Sequence, residues 1–258
     1  MRADYHIGQA DRQGARYAIL PGDPGRVEKI ARFLDSPQFL CRNREYETWI
    51  GRLEGQPVLC MSTGMGGPSA AIGVEELCAA GVHTFIRTGT CGGMAEEVQG
   101  GDLIVANAAI RAEGTTKEYV PAEFPAVSNF TVTSKLLMAA KQLVGPGRLH
   151  CGVVQSKDSF YGQHAPERMP AGEMLAQRWN AWKMAGCLGS EMEAAAVFIT
   201  AAVRRARAGC VLNVIANQER AKKGLPNPEA YDTEAAVKTA VEAMRLLIQE
   251  DAADPAAF

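Results

Sequence analysis

Residues 17–34 read YAILPGDPGRVEKIARFL, and this stretch decides the fold class. Tyr17 to Leu20 is an apolar run of strand length. It passes straight into Pro21-Gly22-Asp23-Pro24-Gly25, a cluster that breaks any regular element. Val27, Ile30, Ala31 and Leu34 then recur at helical spacing, which predicts a helix from about Arg26 to Leu34. A strand, a glycine-rich turn and a helix in succession open an α/β unit. The alternation continues. Strands are predicted at Arg44–Arg52, Pro57–Ser62, Val82–Arg87, Leu103–Ala106, Cys151–Gln155 and Gly209–Ala216. Helices are predicted from Pro68 to about Ala80 and at Thr133–Val144, Gly172–Met184, Glu191–Arg205 and Thr233–Gln249. The expectation is one three-layer α/β domain over residues 1–258, with Asp251 to Phe258 as a loose tail. Ligands in such folds gather at the carboxyl ends of strands, so the glycine-rich and polar loops there hold the candidate site.

The composition narrows the functions. The chain has 258 residues, 47% of them hydrophobic, enough for one sizeable core. Its 27 basic and 29 acidic residues give a net charge of -2, which argues against nucleic acid as the main partner. The seven cysteines are scattered, with no CxxC pair, as expected of small buried residues in a reduced compartment. The first residues lack the apolar run of an export signal and no stretch is long enough to span a membrane, so the cytoplasm is expected.

Five segments carry polar chemistry. In Pro21-Gly22-Asp23-Pro24-Gly25-Arg26, backbone N–H groups and Arg26 could receive an anion; taken alone, a tight turn is the better reading. Ser62-Thr63-Gly64-Met65-Gly66-Gly67-Pro68 is neither a dinucleotide loop, with Pro68 and Ser69 in place of the third glycine, nor a Walker loop. Close backbone approach to a ligand, or of a helix to the sheet, fits it better. In Arg87-Thr88-Gly89-Thr90-Cys91-Gly92-Gly93, an arginine at the end of an apolar strand needs an anion or a carboxylate. Ser190-Glu191-Met192-Glu193 sets two acids around a thioether. That could grip the hydroxyls of a sugar, or be ordinary charge at a helix start. Lys157-Asp158-Ser159-Phe160-Tyr161-Gly162-Gln163-His164 collects a cation, rings, an amide and an imidazole, the groups that hold a flat heterocycle; a turn would collect similar residues.

In combination, PGDPGRVEKIA (21–31), NREYETW (43–49), STGMGGPS (62–69), RTGTCGG (87–93), FPAV (124–127), KDSFYGQH (157–164), SEMEAAAVF (190–198) and NVIANQE (213–219) resemble the nucleoside phosphorylase-I superfamily. Within it the chain is most similar to the pyrimidine branch, the uridine phosphorylases, from about His6 to Leu247. The resemblance implies a single-domain three-layer α/β/α sandwich around a mixed, barrel-like sheet. It implies phosphorolysis of uridine, and of deoxyuridine, to uracil and a sugar 1-phosphate. Gly22, Arg26, Arg87 and Thr90 then match the phosphate site. Arg44 matches an arginine that reaches phosphate from the neighbouring subunit, and His6 a histidine that crosses the same interface to the ribose. Glu191, Met192 and Glu193 match the ribose segment, and Phe160 and Gln163 the base site. No cofactor is implied beyond the substrate phosphate. The family further implies a hexamer of dimers, with Glu45 and Ser69 as candidates for a potassium ion at the dimer interface.

The chain departs from the family pattern around the base. Gln163 is followed by His164 and Ala165 where many uridine phosphorylases have Gln-x-Arg, and Arg168 comes only after Pro166. Asn217 is followed by Gln218 where a second base-site arginine is usual. Lys157 and His164 are the expected replacements beside Arg87 as catalytic groups, with Gln218 as a further base contact. Purine-type relatives carry an aspartate near position 217, and its absence disfavours purines. Two rivals stay open: a phosphorylase for thymidine or a purine nucleoside, and a catalytically silent nucleoside-binding or storage protein of the same fold.

Overall fold

The structure is a computed structural model and describes residues 4–254. Strand β1 (Tyr17–Leu20) is buried along its whole length, as a parallel strand with neighbours on both sides must be. It pairs with β4 (Gln56–Met61) and β5 (Thr84–Gly93). Beyond β4 come the antiparallel strands β3 (Tyr46–Leu53) and β2 (Asp35–Asn43) as an open wing. On the other side β5 joins β10 (Arg207–Asn217), β10 joins β6 (Leu103–Ala112), β6 joins β8 (Leu149–Lys157) and β8 joins β9 (Gly189–Glu191). Since β9 pairs back onto β5, these five strands close a mixed barrel. A two-residue strand, β7 (Ala126–Val127), pairs with β6.

Helices cover both faces. One face packs α2 (Gly67–Ala79) and α6 (Ala194–Val203) over Ala18, Leu20, Phe85 and Leu212. The other packs α1 (Val27–Ala31), α3 (Phe130–Leu143) and α8 (Glu234–Ala253) over Tyr17, Ile19, Ile86 and Val211. Successive residues of β1 thus face opposite cores, the period-two geometry of a strand. The three-layer α/β/α expectation with a barrel-like sheet is met. Helices α4 (Phe160–His164), α5 (Gly172–Met184) and α7 (Gln218–Lys222) gather on one side of the barrel mouth. Among the described residues, no helix is long and apolar enough to cross a membrane.

Several expected boundaries move. The first helix is shorter than expected, a 3₁₀ turn at Pro24–Arg26 followed by Val27–Ala31. Asp251 is not tail: it is buried in the last turn of α8, where it accepts from Tyr17 Oη (2.8 Å) and from Arg207. Residues 255–258 of the expected tail lie outside the described residues. The segment Thr88–Gly93, expected as a loop, continues the strand and pairs with β10 as far as Gly93.

Candidate active site

Arg87 sits on β5 opposite Leu20, so its neighbour is the Pro21–Gly25 turn. Its side chain is buried, with Nη2 donating to Glu193 Oε2 (2.5 Å) and Nε to Glu191 Oε2 (3.1 Å). Nη1 is buried with no hydrogen-bond partner. Burial opposes the guanidinium charge, but the carboxylates of Glu193 and Glu191 outweigh it and hold the pKa above its ordinary value. A Cβ at position 89 would lie 2.8 Å from Nη2, so the glycine after Thr88 makes room for the guanidinium.

The two acids do different work. Strand β9 ends at Glu191 and α6 begins at Ala194, so Glu191-Met192-Glu193 is the bend between them. Glu191 accepts from Ser156 Oγ, from the N–H groups of Glu193 (2.8 Å) and Ala194 (2.9 Å), and from Arg87. Its lone pairs are spent on the frame. In the structure Glu191 positions Arg87 and the start of α6. Glu193 accepts the Gly66 N–H at 2.6 Å as well as Arg87, tying the Ser62–Pro68 loop to the arginine. Gly66 has φ 92°, a conformation that favours glycine. Burial pushes the Glu193 pKa up against the pull of Arg87. Met192, between them, is partly exposed.

The expected phosphate residues surround Arg87 unevenly. The two glycine-rich loops are stitched together by Thr63 N–H to Pro21 O and Gly64 N–H to Gly22 O, both 2.9 Å. Arg26 lies above them with Nε 3.7 Å from Asp23 Oδ2; burial and the field of Arg87 lower its pKa, Asp23 opposing. Two guanidiniums close enough to repel, one with an unspent N–H, make a site that an oxyanion would relieve. Thr90 is partly exposed further along β5. Arg44 stands apart at the tip of the β2–β3 hairpin, exposed and with φ 53°.

His6 is likewise presented outward. Glu76 of α2 accepts from the N–H groups of His6 (2.8 Å) and Ile7 (3.0 Å) and contacts His6 Nδ1 at 2.6 Å. Nothing in the sequence singled out Glu76, which sits among helix residues of ordinary spacing. Glu45 Oε1 lies 2.6 Å from Ser69 Oγ, and Thr63 O lies 2.6 Å from the same hydroxyl. These crowded hard oxygens fit a hard cation.

The base-side residues line a cavity of about 480 Å³. Lys157, Gln163, His164 and Gln218 are on its wall, with Trp179 and Arg178 of α5 facing them. Lys157 is buried, with Nζ donating to Ser190 Oγ (2.8 Å) and 3.5 Å from Glu191 O. Burial lowers its pKa to about 8, against the raising fields of Glu191 and Glu193. The His164 pKa is lowered too, by burial and then by Lys157. Phe160 and Arg168 lie elsewhere. The Phe160 ring does not line this cavity: it is 49% exposed and packs on His164 with centroids 4.2 Å apart. Arg168, exposed in a 3₁₀ turn, is off the wall too, while Arg178 is on it. Asn217 caps α7 and donates to Ala95 O (2.7 Å) and Val98 O (2.8 Å), a structural post. Gln155 and Ser190 join the base-side cluster without having been expected as base-site residues: one faces inward mid-strand, and the other precedes the two acids that drew attention.

A sequence profile of the phosphorylase superfamily matches residues 16–249. The chain belongs to that superfamily. A uridine phosphorylase of Treponema pallidum is 52% identical over 248 residues, covering 96% of this chain and 95% of its own length. A uridine phosphorylase of Escherichia coli is 41% identical over 251 residues, covering 95% of this chain and 98% of its own. A guanosine phosphorylase of Halorubrum lacusprofundi is 36% identical over 237 residues, covering 89% of this chain and 93% of its own.

Proposed function

We propose that this chain is a uridine phosphorylase, a pentosyltransferase that cleaves uridine, and deoxyuridine, with inorganic phosphate to give uracil and the sugar 1-phosphate. The observation that carries the reading is Arg87: a buried guanidinium organised by Glu191 and Glu193, with one N–H unspent beside Arg26. Phosphate bound by Gly22, Arg26, Arg87 and Thr90 would lie beneath C1′ of a ribose held by Met192 and Glu193. Breaking the C1′–N1 bond leaves positive charge on the sugar and negative charge on uracil. Phosphate answers the first charge and then attacks; positioning supplies most of the gain. The second falls toward the cavity wall, where the Lys157 ammonium stabilises it at short range in a low dielectric. His164, Gln163 and Gln218 offer hydrogen bonds to the ring.

Arg44 and His6 are offered to a second subunit. Both sit at the surface on anchored segments, and we read the protein as a hexamer of dimers working in cytoplasmic pyrimidine salvage. A potassium ion held by Glu45 and Ser69 at the dimer interface belongs to the same proposal; its role would be structural. Gln218, where a purine enzyme would need an acid for N7, favours a pyrimidine base. The test is kcat/KM for uridine against inosine, guanosine and thymidine. Uridine should be preferred by at least tenfold, and a purine nucleoside in first place would contradict the assignment.

A further inference from the structure

Ser190 Oγ has more neighbours than it has protons. Lys157 Nζ lies 2.8 Å away, and Gln155 Oε1 and Gln163 Oε1 each lie 2.5 Å away. The ammonium only donates. The hydroxyl has one proton, so it can satisfy one amide oxygen and not two. The other glutamine must turn its amide over and donate its NH2 to the remaining lone pair. Amide oxygen and nitrogen are nearly equal in size, so the turn needs no repacking. Ser190 is buried and absent from the cavity wall, whereas both glutamines are on it. Whichever amide turns, the pair then shows the cavity one N–H donor and one carbonyl acceptor.

We propose that Ser190, gripped by Lys157, couples Gln155 and Gln163 into a matched donor–acceptor pair that selects a base with a –C(=O)–NH– edge. The proposal rests on the reading of this cavity as the uracil subsite. Uracil has such an edge on either side of N3. A base with adjacent acceptors and no ring N–H, such as 2-pyrimidinone, asks for two donors. Both amide oxygens would then face Ser190, and one would meet a lone pair. Gln155 and Ser190 are thereby specificity determinants, Gln155 by contact and Ser190 as a positioning residue.

The experiment compares kcat/KM for uridine and for the riboside of 2-pyrimidinone in the wild type, Ser190→Ala and Gln155→Leu. Dividing each variant's ratio by the wild-type ratio cancels the intrinsic difference between the leaving groups. In Ser190→Ala each amide turns freely, and the preference for uridine should fall roughly tenfold. Gln155→Leu keeps Ser190 but removes one partner of the edge; KM for uridine should rise roughly tenfold and the preference should again fall. General damage to the fold lowers both substrates alike and leaves the ratio where it was. A ratio unchanged in both variants overturns the coupling while leaving the uridine assignment standing. A wild-type protein that cleaves neither riboside overturns both.

Discussion

Arg87 meets a structural demand and, in the proposed phosphate site, a chemical one with the same side chain; its neighbour Arg26 separates the two. Arg26 is half-buried and paired only loosely to Asp23. Arg26→Ala should raise KM for phosphate by roughly ten- to a hundredfold, the loss of one charge-assisted contact, with little change in Tm. Arg87→Ala should abolish activity and also destabilise the protein by about 3–5 kcal/mol, because it strands two buried carboxylates. Phosphate kinetics and thermal melts on both variants check this; a stable, active Arg87→Ala protein would contradict it. Lys157 gives a pH signature. Its pKa of about 8 lies below the ordinary 10.5, so the folded state loses the proton first. The cost of burying this charge is full below about pH 8 and shrinks as pH rises toward 10.5, so the Lys157 contribution to stability becomes less unfavourable across that window. Uridine cleavage should nevertheless decline above about pH 8 as the ammonium is lost. In Lys157→Met that limb should be absent from a profile lowered by roughly a hundredfold.

Among the elements, α7 is tied to α5 through Glu219. Its carboxylate takes Trp179 Nε1 (3.0 Å), Lys183 Nζ (2.7 Å) and Lys222 Nζ (2.8 Å), and these bonds outweigh burial to bring its pKa to about 2. The stabilisation is full above about pH 4.5 and is lost as pH falls toward 2. Glu219→Ala should cost roughly 1–3 kcal/mol at neutral pH, seen as a Tm lower by several degrees. That deficit should shrink in acid, and an unchanged Tm at neutral pH would remove the latch. Buried elements were legible in the sequence: β1, β4 and α6 show as apolar runs. The largely exposed α5 also matches its expected range of Gly172–Met184. Strand β2 was not. It is an exposed edge strand carrying Pro37, with no apolar alternation to read. The Thr88–Gly93 end of β5 was hidden by its glycines, two of which leave room for the side chains of Arg87 and Asn217. Residue types announced the site, but partners did not. The sequence gives no sign that Glu191 spends itself on Arg87, or that Ser190 meets Lys157 and Gln155, since these contacts join segments 33 to 104 residues apart.

For the whole molecule, the proposed sharing of Arg44, which is exposed, and His6, which is half-buried, would tie activity to assembly. Arg44→Ala and Arg26→Ala proteins should each be impaired. Dissociated and reassembled together, they should regain part of the activity, because a mixed dimer contains one site with both arginines. Proven mixed dimers without recovery would contradict the shared site. Phosphorolysis at Arg87 consumes phosphate, and the fate of phosphate measures that directly. With purified protein, uridine and inorganic phosphate followed together by phosphorus NMR and uracil absorbance, the inorganic phosphate signal should fall mole for mole as uracil appears. A sugar 1-phosphate signal should grow to match, and no uracil should form when phosphate is omitted. Uracil released with the phosphate signal unchanged, or no uracil at all, would contradict the account.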